Sequence, residues 1–207
     1  MDIDYWLVGI VVYLLLAVGT FLPVIIAGTR GVKLHGGGHS FEDSPNFSEE
    51  AKKRLIHNYS RMMGTLGFWK REAEKYRRFH YYSLYWTVPS LIIITILAQY
   101  VTENVYSKVL LTIISAHSAI VISLHRGLKV ERNFKAFRQG ESEFYDLYRR
   151  LLDRPFTFGA TEEEQLSRYF DDVENIRRYV RNAELDNFPS MEEAREQLEH
   201  ERQKKLI

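Results

Sequence analysis

Cysteine is absent from the chain. That excludes disulfides, Cys-ligated zinc, iron–sulfur clusters and thiol nucleophiles. An excess of either charge is missing too. The 28 Lys and Arg face 27 Asp and Glu, a formal net charge of +1, so no global field draws the chain to nucleic acid. The signatures of common enzyme classes are also lacking: no GxSxG, no HExxH, no Gly-Lys-Ser/Thr phosphate loop and no DxDxDG loop. Acidic pairs such as Asp171–Asp172 and Glu192–Glu193 fall at helix starts or on charged faces, where they stabilise or solvate. The expectation is a protein that is not an enzyme and uses no cofactor, with no catalytic or metal-binding residues.

What the chain has is apolar sequence pooled into three stretches. Tyr5–Thr29 and Tyr81–Thr102 carry no charged residue, and Val109–Leu124 carries only His117. About 20 apolar residues cross a bilayer as a helix. The third stretch is short, but Lys108 and Arg126 can extend their stems and place their charges among headgroups. Only Glu103–Lys108 separates the second stretch from the third, which makes them a helical hairpin. The start of the chain carries Asp2 and Asp4 ahead of a long apolar run. A secretory signal wants a basic start and a shorter core, so a retained transmembrane helix is expected. Pro23 falls in its last turn, and Pro89 lies inside the first arm of the hairpin.

Residues 30–47 read as a Gly-rich cytoplasmic linker with Gly31, Gly36, Gly37, Gly38 and Pro45. His35 and His39 would share a face only on a helix, which three consecutive glycines oppose, so a flexible loop is preferred to a metal site. Ser48 with Glu49 and Glu50 starts a long helix that runs on into the hairpin. Its apolar positions alternate steps of four and three: Leu55, Tyr59, Met62, Leu66, Trp69, Ala73, Tyr76. After the hairpin, the same steps recur at Val130, Phe134, Phe137, Glu141, Phe144, Tyr148 and Leu151 as a continuation of the second arm. Arg154-Pro155 stops this helix. Thr161 with Glu164 is a capping box for the next one, striped by Leu166, Phe170, Val173, Ile176 and Val180. Ser190 with Glu193 starts a charged last helix, Met191–Leu206.

The fold class is therefore an all-α membrane protein, with three transmembrane helices and long cytoplasmic helical extensions. The parts are 1–29, an N-terminal transmembrane helix; 30–47, the linker; 48–152, the long hairpin with coiled-coil extensions; and 153–207, C-terminal cytoplasmic helices. Aromatic stripes on both sides of the hairpin exceed what one antiparallel pair needs. A homo-oligomer is expected, with Phe134, Phe137, Phe144 and Tyr148 in its seam. Lys and Arg crowd residues 30–78 and 126–138, whereas the opposite ends carry Asp2, Asp4, Glu103 and Lys108. The positive-inside rule puts the N-terminus outside and the C-terminus in the cytoplasm, in a cell (inner) membrane. Within that basic excess, Lys70, Arg71, Lys75, Arg77 and Arg78 lie next to the bilayer. They are topology signal first and candidate headgroup ligands second.

At about 100° per residue, Thr112, Ser115, Ser118, Ala119, Ile122 and His125 share one sector of the second arm, and His117 points away from it. Hydroxyl and small residues on a membrane helix serve close helix packing or line a wet pathway. His80 and His117 are conceivable haem ligands. However, His80 falls at the cytoplasmic mouth and His117 near mid-membrane, so they would not face one iron.

A basic aromatic helix (Phe68-Trp69-Lys70, then Tyr76 to Tyr82) leads into a hairpin with a tiny outer turn. A long helix follows (Phe134 to Leu152), then one of Tyr-Phe, acidic, Ile-Arg-Arg-Tyr character (Tyr169 to Tyr179). This architecture, over about Ser48 to Asn187, resembles the SLATT domains, two-transmembrane effectors associated with SMODS and SLOG proteins in prokaryotic conflict systems. The N-terminal helix at Tyr5–Ala27 departs from the two-helix form. The resemblance implies a non-enzymatic effector that forms a pore or disrupts the membrane when a nucleotide-signalling or sensor partner acts. The alternative is a membrane-anchored scaffold that recruits a cytoplasmic partner through its coiled-coil helices.

The lack of native cysteine makes the topology directly testable. In intact cells, cysteines placed at Ser48 and Ser190 should be shielded from an impermeant thiol reagent, and one at Asn104 should label. Labelling at Ser190 with none at Asn104 would reverse the orientation.

Overall fold

The structure, a computed structural model, describes residues 4–29, 34, 40–101 and 103–186. The expected helix at Met191–Leu206 lies outside these residues, as do His35, His39 and the Gly36–Gly38 run. Among the described residues the chain is helical and has no strand. Its helices are α1 (Tyr5–Thr29), α2 (Glu49–Tyr100), α3 (Val105–Gly127), α4 (Val130–Asp153) and α5 (Glu162–Asp186), with 3-10 turns at Phe41–Asp43 and Pro155–Thr157. Three of them, α1, α2 and α3, are long and apolar enough to cross a membrane. The chain divides into two units. One holds Met1–Thr29 and Lys75–Glu131, the other Arg30–Glu74 and Arg132–Asn187, and α2 contributes to both.

In the first unit, large aliphatics point outward. Leu15, Val18, Leu22 and Ile25 on α1 are exposed, as are Val88, Leu91, Ile92 and Ile96 on α2. The buried positions include Ser83, Thr87 and Ser90 on α2 and Ser107 and Ser118 on α3. This inverts the pattern of a water-soluble bundle and is what hydrocarbon surroundings demand. Exposed tyrosines mark two levels on α2, Tyr81 with Tyr85 and then Tyr100. From Tyr81 to Tyr100 is about 28 Å at 1.5 Å per residue, close to the thickness of a bilayer core. Such amphipathic rings settle at headgroup level. At the hairpin turn Asn104 caps α3 by accepting from Tyr106 N–H at 2.8 Å, and its amide donates to Asp4 at 2.9 Å. That donation, the first of several bonds to Asp4, holds the Asp4 carboxyl below its usual range.

Two local expectations change here. Pro23 is not in a final turn, because α1 runs on to Thr29. The second arm does not run unbroken into the following helix. It ends at Gly127, the Leu128 and Lys129 N–H groups fold back onto the carbonyls of Leu124 and Arg126, and α4 begins afresh at Val130. Lys129 sits at φ 44°, a left-handed conformation that costs a side-chain-bearing residue about 1–2 kcal/mol. The stepped apolar pattern crosses this break because the register it reports depends only on sequence spacing.

The second unit packs α2 up to Glu74, α4 and α5 around Leu55, Met62, Leu66, Trp69, Phe144 and Val173. Phe137 (2% exposed) and Phe144 (0%) are covered within the protomer. Phe137 meets Phe68 edge-on at 5.8 Å and Phe144 stacks on Tyr59 at 6.2 Å, while Phe134 and Tyr148 are half-buried. Two residues of the aromatic seam expected between protomers, Phe137 and Phe144, are thus covered within the chain, where their aromatic partners lie on α2. On α5 the buried position is Tyr169, not the adjacent Phe170. Tyr169 contacts Phe41 and Phe158, and Phe170 lies beside the Arg54 guanidinium. Burial pushes the Tyr169 hydroxyl above the usual tyrosine range. Phe41, in the segment read as a flexible linker, is 2% exposed and packs against Tyr148 at 4.6 Å.

Helix starts are tied together by charge. The Glu162 carboxylate accepts from the backbone and hydroxyl of Ser48, both at 2.7 Å, and Arg54 forks onto Glu163 at 2.8 and 3.2 Å. These bonds hold both carboxyls below their usual range. The expected box is present, with Glu164 N–H donating to the Thr161 hydroxyl at 3.3 Å and Thr161 N–H to the Glu164 carboxylate at 3.2 Å.

Gly140 is a close-approach point between helices of this unit. A Cβ there would collide with Val180 and touch Trp69. Gly140→Ala should destabilise the detergent-solubilised protein by about 1–3 kcal/mol through overpacking, and Phe144→Ala by about 3–5 kcal/mol through loss of a core side chain. Ser142→Ala, on the exposed face, should stay within about 0.5 kcal/mol. Thermal melts followed by circular dichroism provide the check.

Candidate functional site in the apolar unit

Three helices converge on His117. Its Nδ1 lies 2.7 Å from the Tyr13 hydroxyl on α1 and its Nε2 lies 2.8 Å from the Tyr82 hydroxyl on α2. A neutral imidazole has one donor and one acceptor. The pattern closes when Tyr13 donates to Nδ1, Nε2–H donates to Tyr82, and Tyr82 donates onward to the Ala17 carbonyl at 3.5 Å. Trp86 edges against the imidazole at 5.3 Å and donates its indole N–H to Thr20 at 2.9 Å. In lipid these groups have no water to fall back on, so the set holds α1 against the hairpin.

A second pair lies two turns further along α3. His80 Nδ1 and His125 Nε2 are 2.9 Å apart. The imidazoles of His117 and His80 are therefore engaged at different places, and among the described residues no group of three or more His, Asp or Glu is arranged to hold a metal.

Comparison with family models, curated proteins and solved structures returned no match. The reading of this site rests on its geometry.

The residues of the expected polar sector separate. Ser118 is 3% exposed and donates to the Ile114 carbonyl at 2.9 Å. Thr112 is on the outer face and donates to the Lys108 carbonyl at 2.9 Å. Ser115 and Ile122 are half-buried between these, and His125 turns to His80. Within one protomer, Ser118 and Thr112 turn back on their own helix, so neither requires a water-filled lumen. The basic residues divide between the units. Lys70 and Arg71 belong to the second, with the Arg71 guanidinium 5.7 Å from the Phe68 ring. Lys75, Arg77 and Arg78 belong to the first, with the Lys75 ammonium 5.1 Å over Tyr76.

Sequence reasoning missed Tyr13, Tyr82, Trp86 and Thr20 as partners of the core. A signal was available: each is a polar-tipped residue inside an otherwise apolar run. It lacked a pairing rule, because α1 and α3 contribute Tyr13 and His117 from positions far apart in the chain.

The tether has a measurable strength. Tyr82→Phe should cost about 0.5–1.5 kcal/mol, and His117→Leu, which takes one partner from each of two hydroxyls, about 1–3 kcal/mol. Reversible unfolding in bicelles distinguishes these from Thr112→Val, which removes a hydroxyl already satisfied on its own helix and should be near neutral.

Proposed function

We propose that the chain is a homo-oligomeric membrane effector whose copies associate through α3 and permeabilise or disrupt the bilayer. The observation that carries this reading is the outer face of α3. There Thr112, Ala116, Ala119 and Ser123 are exposed, where α1 and α2 present Leu, Ile and Val. Against lipid, small and hydroxyl residues give little; against another helix they permit close approach. Ser115 and Ile122 flank this stripe. In a ring of copies it would face the axis, with Ile122 one turn inside a mouth formed by Arg126, placed to dewet a closed path.

The basic residues favour an orientation with the N-terminus outside and the second unit in the cytoplasm. The resemblance to SLATT domains supports the same class and suggests a nucleotide-signalling or sensor protein as trigger. A membrane-anchored scaffold is the second reading. The closure of Phe137 and Phe144 within the protomer favours it, because a self-contained helical unit on a membrane anchor suits an adaptor.

Dye-loaded vesicles and planar bilayers separate the two. Thr112→Leu and Ser115→Leu should suppress leakage while leaving membrane insertion unchanged, and Ile122→Ser should raise it. Reconstituted protein that passes no current would leave the scaffold reading.

A further inference from the structure

A groove of about 320 Å³ opens on the side of the apolar unit, and none of its lining residues carries a formal charge. Its exposed rim is the ridge Leu14, Val18, Leu22 and Ile25 on α1. Its notch is created by Ala17, which is small between Tyr13 and Phe21, and its buried floor includes Tyr82. From Leu14 to Ile25 the groove follows α1 for about 16 Å at 1.5 Å per residue.

The occupant is constrained from three sides. The polar tips in the floor, His117 and the two tyrosines, already bond to one another, so the groove offers an incoming molecule hydrocarbon walls and little else. That disfavours ions and any ligand that would seat a carbonyl within the groove, since these need an available donor there. The rim consists of branched or long aliphatics at every turn, without the small residues by which a second helix would come close. At the Ile25 end the lining gives way to cationic groups. The stem of Lys75 passes Gly28, whose ideal Cβ would lie 3.7 Å from Lys75 Cδ, and the Lys75 ammonium sits over Tyr76. Arg78 is exposed one turn further along α2.

We propose that this groove binds one acyl chain of an anionic glycerophospholipid, with the phosphate held at Lys75 and Arg78. The site goes beyond the permeabilisation reading. It depends on the bilayer placement of α1 and not on oligomerisation, so it can stand where the pore fails. In such a site the apolar chain supplies depth and the two cations supply headgroup preference.

The test uses the full chain in phosphatidylcholine vesicles doped with spin-labelled phosphatidylglycerol or spin-labelled phosphatidylcholine. Resistance to alkaline extraction first establishes insertion, and a leakage assay on the same vesicles reports the pore reading separately. The immobilised fraction should be at least about threefold larger for phosphatidylglycerol, as one well-placed lysine near the surface provides. Lys75→Gln should reduce that preference, and Lys75→Gln combined with Arg78→Gln should abolish it. Ala17→Leu, which fills the notch, should reduce immobilisation of phosphatidylglycerol by a similar factor. Should Ala17→Leu fail to insert, Val18→Trp, on the exposed rim, blocks the groove without touching the packed interior. Equal immobilisation of the two lipids, or a preference that survives both groove-filling variants, would overturn the site. A disulfide dimer formed through Val18→Cys in the vesicles would assign the groove to a second copy and overturn it equally.

Discussion

Hydrocarbon supplies no hydrogen-bond partner, and the organisation of the apolar unit follows from that constraint. Short hydroxyls meet it locally: Thr87, Ser118, Thr112 and Thr95 each donate to a carbonyl of their own helix. Histidine cannot do so, because its two ring nitrogens point in different directions. His117 therefore requires partners from other helices, and Tyr13 and Tyr82 supply them at 2.7 and 2.8 Å. The position of α1 against the hairpin is set by this need, with Trp86 to Thr20 and Asn104 to Asp4 repeating the tether at other levels. Removing one tether strands a group where no solvent can compensate.

The second unit follows the aqueous rule. Its apolar stripes on α2, α4 and α5 face inward, and charged groups sit outside in pairs such as Arg54 with Glu163, while the buried Glu141 is bonded by Arg138. Such exposed pairs contribute little stability each. They specify instead, because Glu162 and Glu163 in the first turn of α5 reach Ser48 and Arg54 at the start of α2 and align the two helix beginnings. The same stepped pattern serves both units. What differs is which side of each helix the surroundings tolerate.

The two faces of α3 connect architecture to the proposed activity. The inward face is committed to Leu110, Ile114, Ser118 and Val121. The outward one carries the small residues from which a further helix contact is inferred. The exposed side of α3 also carries Val109, Ile120 and Leu124 beside those small residues.

The sequence by itself determined the element types and most of their limits. Uncharged runs gave the three apolar helices, the Thr161 and Glu164 spacing gave the start of α5, and Ser48 gave the start of α2. These are local properties, decided by a residue and its neighbours within one turn. It also carried the stripes at Leu55, Leu66, Phe144 and Val173 correctly. It did not reveal that Phe137 and Phe144 are spent inside the protomer, that Phe41 is a core residue, or that Lys129 breaks the second arm. Nor did it show that Ser118 faces in while Thr112 faces out. Only the tertiary structure decided these, because a helix face has no inside until the other helices are placed. Hydrogen bonds such as that of Tyr13 to His117 join residues that periodicity, a short-range signal, cannot relate.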